Sequence, residues 1–315
     1  MSVYTDVPRA ALDTFLGAYD LGPAISCEGI LDGVENTNYF VTPAAGRFVL
    51  TLFETTPATA LPYCLDLMAH LAQRGIAAPR PQPARDGTVL RTLCGKPATL
   101  VERLPGESVA QPRPAQCAAI GASLARMHRA VADFGRARPS ERGAAWRTAK
   151  LARLATRAGP ADLALLQEEV TLQAAAPLSP LPGGAVHGDL FHDNVLFTGN
   201  TVSGVIDFYH AANEAFIYDL AVTAADWCFC AGRPDETRMR ALVEAYRAER
   251  AVSEAEIEAW PLALRAAGLR FWLSRLHDAL YRKPGGLVLV KDPAACRAVV
   301  LAGRREPERL RACWH

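Results

Sequence analysis

Apolar positions follow one spacing in the first third of the chain and another in the rest. Residues 25–31 and 38–42 predict short strands joined by a polar turn at 32–37. A second turn at 43–46 leads into an apolar strand at 47–53. Leu61, Leu65, Met68, Leu71 and Ala72 keep a helical period, which predicts a helix over 61–74 ended by Gly75. The prolines at 79–83 force an extended connection, and 88–93 with 97–102 predict a hairpin around Cys94-Gly95-Lys96. Beyond Leu104-Pro105-Gly106, helical periods dominate at 115–129, 144–157, 162–175, 234–250 and 253–282. One compact strand-and-loop region, 185–207, lies among them. The pattern predicts an α+β protein of two lobes, a small sheet-bearing lobe over 1–103 and a large helical lobe over 104–315.

Composition narrows the partners. The 315 residues are half apolar and 21% charged, which is ordinary globular usage. Lys plus Arg is 34 against 33 acids, a balance that argues against a nucleic-acid binder or a polybasic membrane module. No apolar run reaches the length of a membrane span, and the first ten residues lack the apolar stretch of an export signal. The eight Cys are scattered, and Cys228-Phe229-Cys230 matches no zinc or redox spacing. A cytoplasmic location with free thiols is the expectation. The only Lys are Lys96, Lys150, Lys283 and Lys291.

The chemistry is concentrated in His187-Gly188-Asp189-Leu190-Phe191-His192-Asp193-Asn194 and, thirteen residues after Asn194, in Asp207-Phe208-Tyr209. A hairpin turning at 198–200 would bring Asn194 and Asp207 side by side. An amide oxygen beside a carboxylate makes a hard-oxygen site suited to Mg²⁺ and phosphates. Asp189 would then be free of metal and placed to receive a hydroxyl proton. That division matches the protein-kinase template, H-R-D-x-x-x-x-N followed by D-F-G. A hydrolytic metal cluster of His187, Asp189, His192 and Asp193 is the rival chemistry, but it leaves Asn194 and Asp207 unexplained.

The Gly after His187, and Asp-Phe-Tyr in place of Asp-Phe-Gly, resemble the aminoglycoside phosphotransferase and choline kinase superfamily. The resemblance implies the protein-kinase-like two-lobed fold and phosphorylation of a small molecule. It implies a nucleotide-covering loop at 32–37 with Gly33, Asn36 and Thr37, and an inter-lobe hinge at 99–106 with Glu102 and Leu104. It also implies a helix ending in a structural His128. Several stretches look specifically like the bacterial homoserine kinases of this fold: Gly33-Val34-Glu35-Asn36-Thr37-Asn38, Phe48 through Glu54, Leu67 through Leu71, Val205 through Tyr209, and Leu264 through Leu276. They imply ATP-dependent phosphorylation of L-homoserine, a step of threonine biosynthesis, with ATP and Mg²⁺ as cofactors. A small-molecule substrate, no nucleic-acid or membrane partner, and a monomer or homodimer are expected. A kinase of the same fold for another alcohol (an aminoglycoside, choline or a sugar) stays open. So does a nucleotide-binding module without catalysis, although intact Asp189, Asn194 and Asp207 weigh against it.

Roles follow from the resemblance. Asp189 and Asn194 are catalytic, Asn194 and Asp207 hold metal, and Tyr209, Asp226, Arg265 and Arg270 are the substrate candidates. A homoserine carboxylate needs a cationic partner, yet Arg265, Arg270 and Arg275 at five-residue intervals drift around a helix and cannot share one pocket. Any one of them reads equally well as a solvated helix residue. Asp219 and Asp226, seven apart, share a face; Asp219 reads as a brace for the catalytic loop and Asp226 as a partner for the substrate ammonium. His187 reads as structural, and His192 faces either phosphate or solvent. Thr51, a nucleotide-site candidate, stands where the kinase strand lysine belongs, and the following helix holds Asp66 but no Glu. Lys96 reads as a surface turn residue rather than a phosphate ligand.

Overall fold

The computed structural model describes residues 3–31, 35–178, 180–281 and 291–315. The chain divides into two compact units, one running to Pro105 and one beginning at Gly106. Gly33, Arg282 and Lys283 lie outside the described residues.

The first unit is built on a five-stranded antiparallel sheet. Its strands are β1 (Ala24–Ile30), β2 (Thr37–Pro43), β3 (Phe48–Leu52), β4 (Arg91–Leu93) and β5 (Lys96–Glu102), in the order β1-β2-β3-β5-β4. Alternation sends Tyr39, Val41, Phe48, Leu50, Leu52, Ala98 and Leu100 to one face. There they form a core with Leu12, Phe15 and Leu16 of an N-terminal helix, α1 (Arg9–Leu16). The sequence reading assigned no element here, although Leu12, Phe15, Leu16 and Tyr19 carry the helical spacing. On the other face Asn38, Thr51 and Thr99 stand in register across β2, β3 and β5. The Arg103 guanidinium lies 3.7 Å from the centre of the Phe40 ring. The second helix, α2 (Leu61–Gln73), follows β3, and Gly75 leaves it with φ 75°. The strand expected over 88–93 shortens to β4 because Asp86 accepts hydrogen bonds from the amide and hydroxyl of Thr88 and turns the chain.

The second unit is mainly helical: α3 (Pro114–Ala130), α4 (Ala144–Leu154), α5 (Pro160–Ala175), α6 (Phe216–Trp227), α7 (Glu236–Glu249), α8 (Glu254–Leu280), α9 (Pro293–Arg305) and α10 (Pro307–Arg311). Ser253 and Glu256 start α8 with a reciprocal capping box. This long helix packs on α4, α5, α6 and α9 around the fully buried Trp227, Trp260 and Trp272. Of the short antiparallel pairs that interrupt the helices, two bear on the site: β6 (Gly183–Val186) with β9 (Ala212–Ala215), and β7 (Val195–Thr198) with β8 (Thr201–Val205). Between them they suspend the segments 187–194 and 206–211. Among the described residues no helix is long and apolar enough to cross a membrane.

Candidate active site

The loop from His187 to Asn194 is fixed from beneath by one buried carboxylate. Asp219 on α6 accepts the Gly188 amide at 2.7 Å on Oδ1 and the His187 amide at 3.0 Å on Oδ2. His128, at the end of α3, donates from Nε2 to the same Oδ2 at 3.1 Å and takes the Tyr246 hydroxyl on Nδ1 at 2.7 Å. Burial alone would raise the Asp219 pKa; the hydrogen bonds it accepts from His128 and the Gly188 amide outweigh it and hold the group below its ordinary value. Gly188 is needed where it stands. Its φ is +73°, and a Cβ there would lie 3.2 Å from the His210 carbonyl oxygen.

His187 is wholly buried and its tautomer follows from its neighbours. Nε2 donates to the Ile206 carbonyl at 2.9 Å, and Nδ1 accepts the Asp189 amide at 3.2 Å. Burial pushes its pKa down. Both nitrogens are thereby spent, which removes His187 from the hydrolytic metal reading and makes it the brace expected from the sequence. Its ring packs on Phe208, with centroids 4.7 Å apart.

Asn194 turns its Nδ2 to the Asp189 carbonyl at 2.8 Å, with the Asp189 carboxylate 3.5 Å away. Its Oδ1 is left without a protein donor among the described residues. The β7–β8 hairpin turns at Gly199-Asn200 and pairs Val195 with Val205, while the Ile206 amide donates to the Asn194 carbonyl at 2.9 Å. Asn194 and Asp207 therefore stand at the same open end of the hairpin, as the spacing predicts. Asp207 is exposed and holds left-handed angles of φ 63°, ψ 57°, an uncommon conformation for a side chain other than glycine.

A family model described as a phosphotransferase enzyme family matches residues 26–254. A homoserine kinase of Methylobacillus glycogenes is 44% identical over 315 residues, all of this chain and 99% of the relative. One of Methylobacterium nodulans is 46% identical over all of this chain and 99% of its own. Among solved structures, an amicoumacin kinase in complex with AMP-PNP, Ca²⁺ and Ami matches with a TM-score of 0.71 at 18% identity, covering 95% of this chain and 92% of that one. The chain belongs to the phosphotransferase enzyme family. Its fold is the protein-kinase-like one of that family, with the antiparallel sheet in the N-terminal unit and helices in the C-terminal one.

In this phosphotransferase the three arginines of α8 have parted company, and two expectations change. Arg270 donates from Nη1 to the Gly188 carbonyl, and Nη2 lies 3.5 Å from the Asp189 Oδ1. At 5% exposure, with its guanidinium 4.1 Å from the Phe271 ring centre, it serves the 187–194 loop rather than presenting itself as a substrate carboxylate partner. Arg265 is held bidentately by the buried Glu169, at 3.0 and 2.8 Å, and Arg304 shares that carboxylate at 3.0 Å. Its forked donors are taken, so it leaves the substrate set. Asp226 accepts both the amide and Nδ1 of His192, at 2.8 and 2.6 Å, on Oδ2. That hydrogen bond raises the His192 pKa. The Tyr209 carbonyl accepts Nη1 of Arg138 at 3.3 Å, and the same Nη1 reaches the Ala211 carbonyl at 2.9 Å. Arg138 thus ties down the segment after Asp207. Nothing in its sequence surroundings marks it for that work.

In the first unit, the Thr51 hydroxyl donates to Asn38 Oδ1 at 2.8 Å. Asn36 is buried, its Oδ1 without a partner among the described residues. Thr37 donates its hydroxyl to Glu54 at 2.6 Å and accepts the amides of Tyr4 and Thr5, leaving only its main chain for the loop it borders. The Glu102 amide is paired with the Arg80 carbonyl at 2.9 Å, and Leu104 is half-buried just beyond β5. Lys96 Nζ lies 3.1 Å from Glu54 Oε2. By alternation along β5 it shares the α1 face with Ala98 and Leu100, opposite Thr51.

Proposed function

We propose that this phosphotransferase is an ATP-dependent homoserine kinase that phosphorylates the side-chain hydroxyl of L-homoserine, a cytoplasmic step towards threonine. Full-length relatives named homoserine kinase at 44–46% identity support the substrate. The observation that carries the chemistry is the split between Asp189 and the Asn194–Asp207 pair on one braced loop and hairpin.

Asp189 is the proton acceptor for the substrate hydroxyl. Three features keep it ready: Asp219 pins the amides of His187 and Gly188, Asn194 clamps its carbonyl, and Arg270 faces its carboxylate. Asn194 Oδ1 and the Asp207 carboxylate are hard oxygen donors of the kind that fit Mg²⁺, and they would hold it here. When bound, the metal neutralises charge on the phosphates during transfer. The Thr51 side of the sheet, the loop ending at Asn36 and Thr37, and the 102–104 segment serve the nucleotide. With neutral Thr51 at the strand position, the phosphates are handled without the usual lysine.

Initial rates of ADP release with L-homoserine, an aminoglycoside, choline and a sugar test the reading. L-Homoserine is expected to give the highest kcat/KM. Faster turnover of one of the others would reassign the substrate and leave the family unchanged, and no ADP release with any of them would remove the catalytic reading.

A further inference from the structure

A cavity of about 430 Å³ lies within the second unit, beside the catalytic loop. That is within the range of small-molecule sites, roughly 300–1,000 Å³. The loop contributes Phe191, α6 contributes Asp226, α8 contributes Phe271 and Arg275, and the start of α9 contributes Asp292 and Cys296. Phe191 is two residues from Asp189, so their Cα atoms are at most about 7 Å apart. Most of this lining is apolar, but three charged side chains, Arg275, Asp226 and Asp292, break it.

Arg275 is the informative one. Its guanidinium lies 5.5 Å from the Phe191 ring centre and 6.0 Å from that of Phe271, and it meets no carboxylate among the described residues. Its neighbours on the helix differ: Arg265 is taken by Glu169, and Arg270 by Gly188 and Asp189. A guanidinium that rests on aromatic faces at a cavity wall keeps its planar fork of donors for a carboxylate. Asp226 spends only Oδ2 on His192; Oδ1 has no hydrogen-bond partner among the described residues. Asp292 also has one oxygen engaged, its Oδ1 capping α9 through the Ala294 amide at 2.8 Å, but it is exposed, whereas Asp226 is half-buried. One cation, Arg275, and one half-buried carboxylate, Asp226, on a single small cavity match the two charges of an α-amino acid.

We infer that this cavity is the amino-acid subsite of the acceptor, with Arg275 receiving the α-carboxylate and Asp226 the α-ammonium, so that the side-chain hydroxyl is directed to Asp189. The assignment rests on the homoserine kinase reading and adds Arg275 as its specificity-determining residue. It explains how a loop committed to proton acceptance selects a zwitterion over a simple alcohol.

The test uses L-homoserine, 3-aminopropan-1-ol (no carboxylate) and 4-hydroxybutyrate (no ammonium), each measured as substrate and as competitive inhibitor of homoserine. Arg275→Gln removes the charge and the fork but keeps a polar side chain, and Arg275→Lys keeps the charge without the fork; whichever folds with wild-type melting behaviour is read. Arg275→Gln should lose about 10–100-fold in kcat/KM for homoserine, mostly through KM, as expected when a charge-assisted hydrogen bond is removed. Arg275→Lys should lose less. The KM for ATP and the kinetics or inhibition by 3-aminopropan-1-ol should move by no more than about threefold, a pattern of uniform binding lost at one charge. Asp226→Asn should give the mirror pattern, sparing 4-hydroxybutyrate. An equal loss for homoserine and 3-aminopropan-1-ol, or no loss for either, overturns the assignment of Arg275. Failure of the wild-type protein to use homoserine at all is a different result and strikes the homoserine kinase reading itself.

Discussion

Arg270 sets its guanidinium 3.5 Å from the Asp189 carboxylate while donating to the carbonyl of the preceding Gly188. Both contacts come from one rigid planar group that is 5% exposed, so they fix the direction in which the carboxylate faces. Replacing Arg270 by Lys keeps a charge but cannot span the carbonyl and the carboxylate in the same way. We expect kcat to fall by about 10–100-fold in Arg270→Lys, within the range for misplaced catalytic groups, with KM for ATP little changed. Steady-state kinetics at saturating ATP check this; an unchanged kcat would show that Asp189 is oriented without it.

Lys96 gives a sharper negative expectation. Its ion pair with Glu54 lies on the α1 face of the sheet, and Thr51 faces the other side. The Glu54 carboxylate also takes the hydroxyls of Thr5 and Thr37, so the cluster pins the N-terminal segment to the sheet. Lys96→Met should leave KM for ATP within about twofold, since the half-buried pair lies on the face of the sheet opposite Thr51. An activity loss approaching that of Asp189→Ala would place a lysine on the phosphates after all.

Glu169 is fully buried and holds both Arg265 and Arg304. Removing its carboxylate leaves the partly buried Arg265 without its partner, while Arg304 keeps Glu168. Glu169→Ala should destabilise the fold by about 1–3 kcal/mol, the cost of leaving hydrogen-bonding groups unpaired in a partly buried site. Urea unfolding should show this as a lower midpoint, while the KM for homoserine in the folded fraction stays put. A raised KM would return Arg265 to the substrate site.

Two histidines set an acid limit on stability. His187 and His128 are wholly buried, and burial lowers both pKa values below their ordinary 6.5. Below about pH 6.5 the unfolded chain takes up protons that these two folded groups refuse, so stability falls as pH falls. Each contributes a slope of up to about 1.4 kcal/mol per pH unit. His192 runs the other way: Asp226 raises its pKa, and its contribution is present below about pH 6.5 and lost as pH rises through the folded value. Urea midpoints measured from pH 8 to 5 should drop on the acid side. In His128→Asn, which no longer carries the titrating ring, the slope should be shallower; an unchanged slope would assign the acid loss elsewhere.

The residues of the proposed site were legible in the sequence, as were the braces His128, His187 and Asp219, while the arginine supports were hidden. Asp189, Asn194 and Asp207 are local in the chain, and the hairpin that joins two of them is a short-range element with its own turn signal. The sheet and α2 followed from spacing to within a residue or two, apart from β4, where the Asp86 turn cut the strand short. The arginines could not be sorted in this way. Arg265, Arg270 and Arg275 look alike along α8, and what separates them is the partner each meets: Glu169, 96 residues earlier, Gly188, 82 residues earlier, or an aromatic wall. Arg138 was unreadable for the same reason, since its carbonyl acceptors lie 71 and 73 residues away. Asp219 was placed correctly as a brace, but Asp226 proved to be a second brace through His192, which leaves one carboxylate oxygen rather than a free group.

The most direct test of the account is the turnover of Asp189→Ala with L-homoserine and ATP. The loop bracing by Asp219 and the proposed metal donors Asn194 and Asp207 are untouched by this change, so nucleotide binding should stay within about twofold of wild type. Loss of the positioned proton acceptor should lower kcat by about 10²–10⁴. A kcat near wild type, with nucleotide affinity unchanged, would contradict the assignment of Asp189 as the residue that takes the hydroxyl proton.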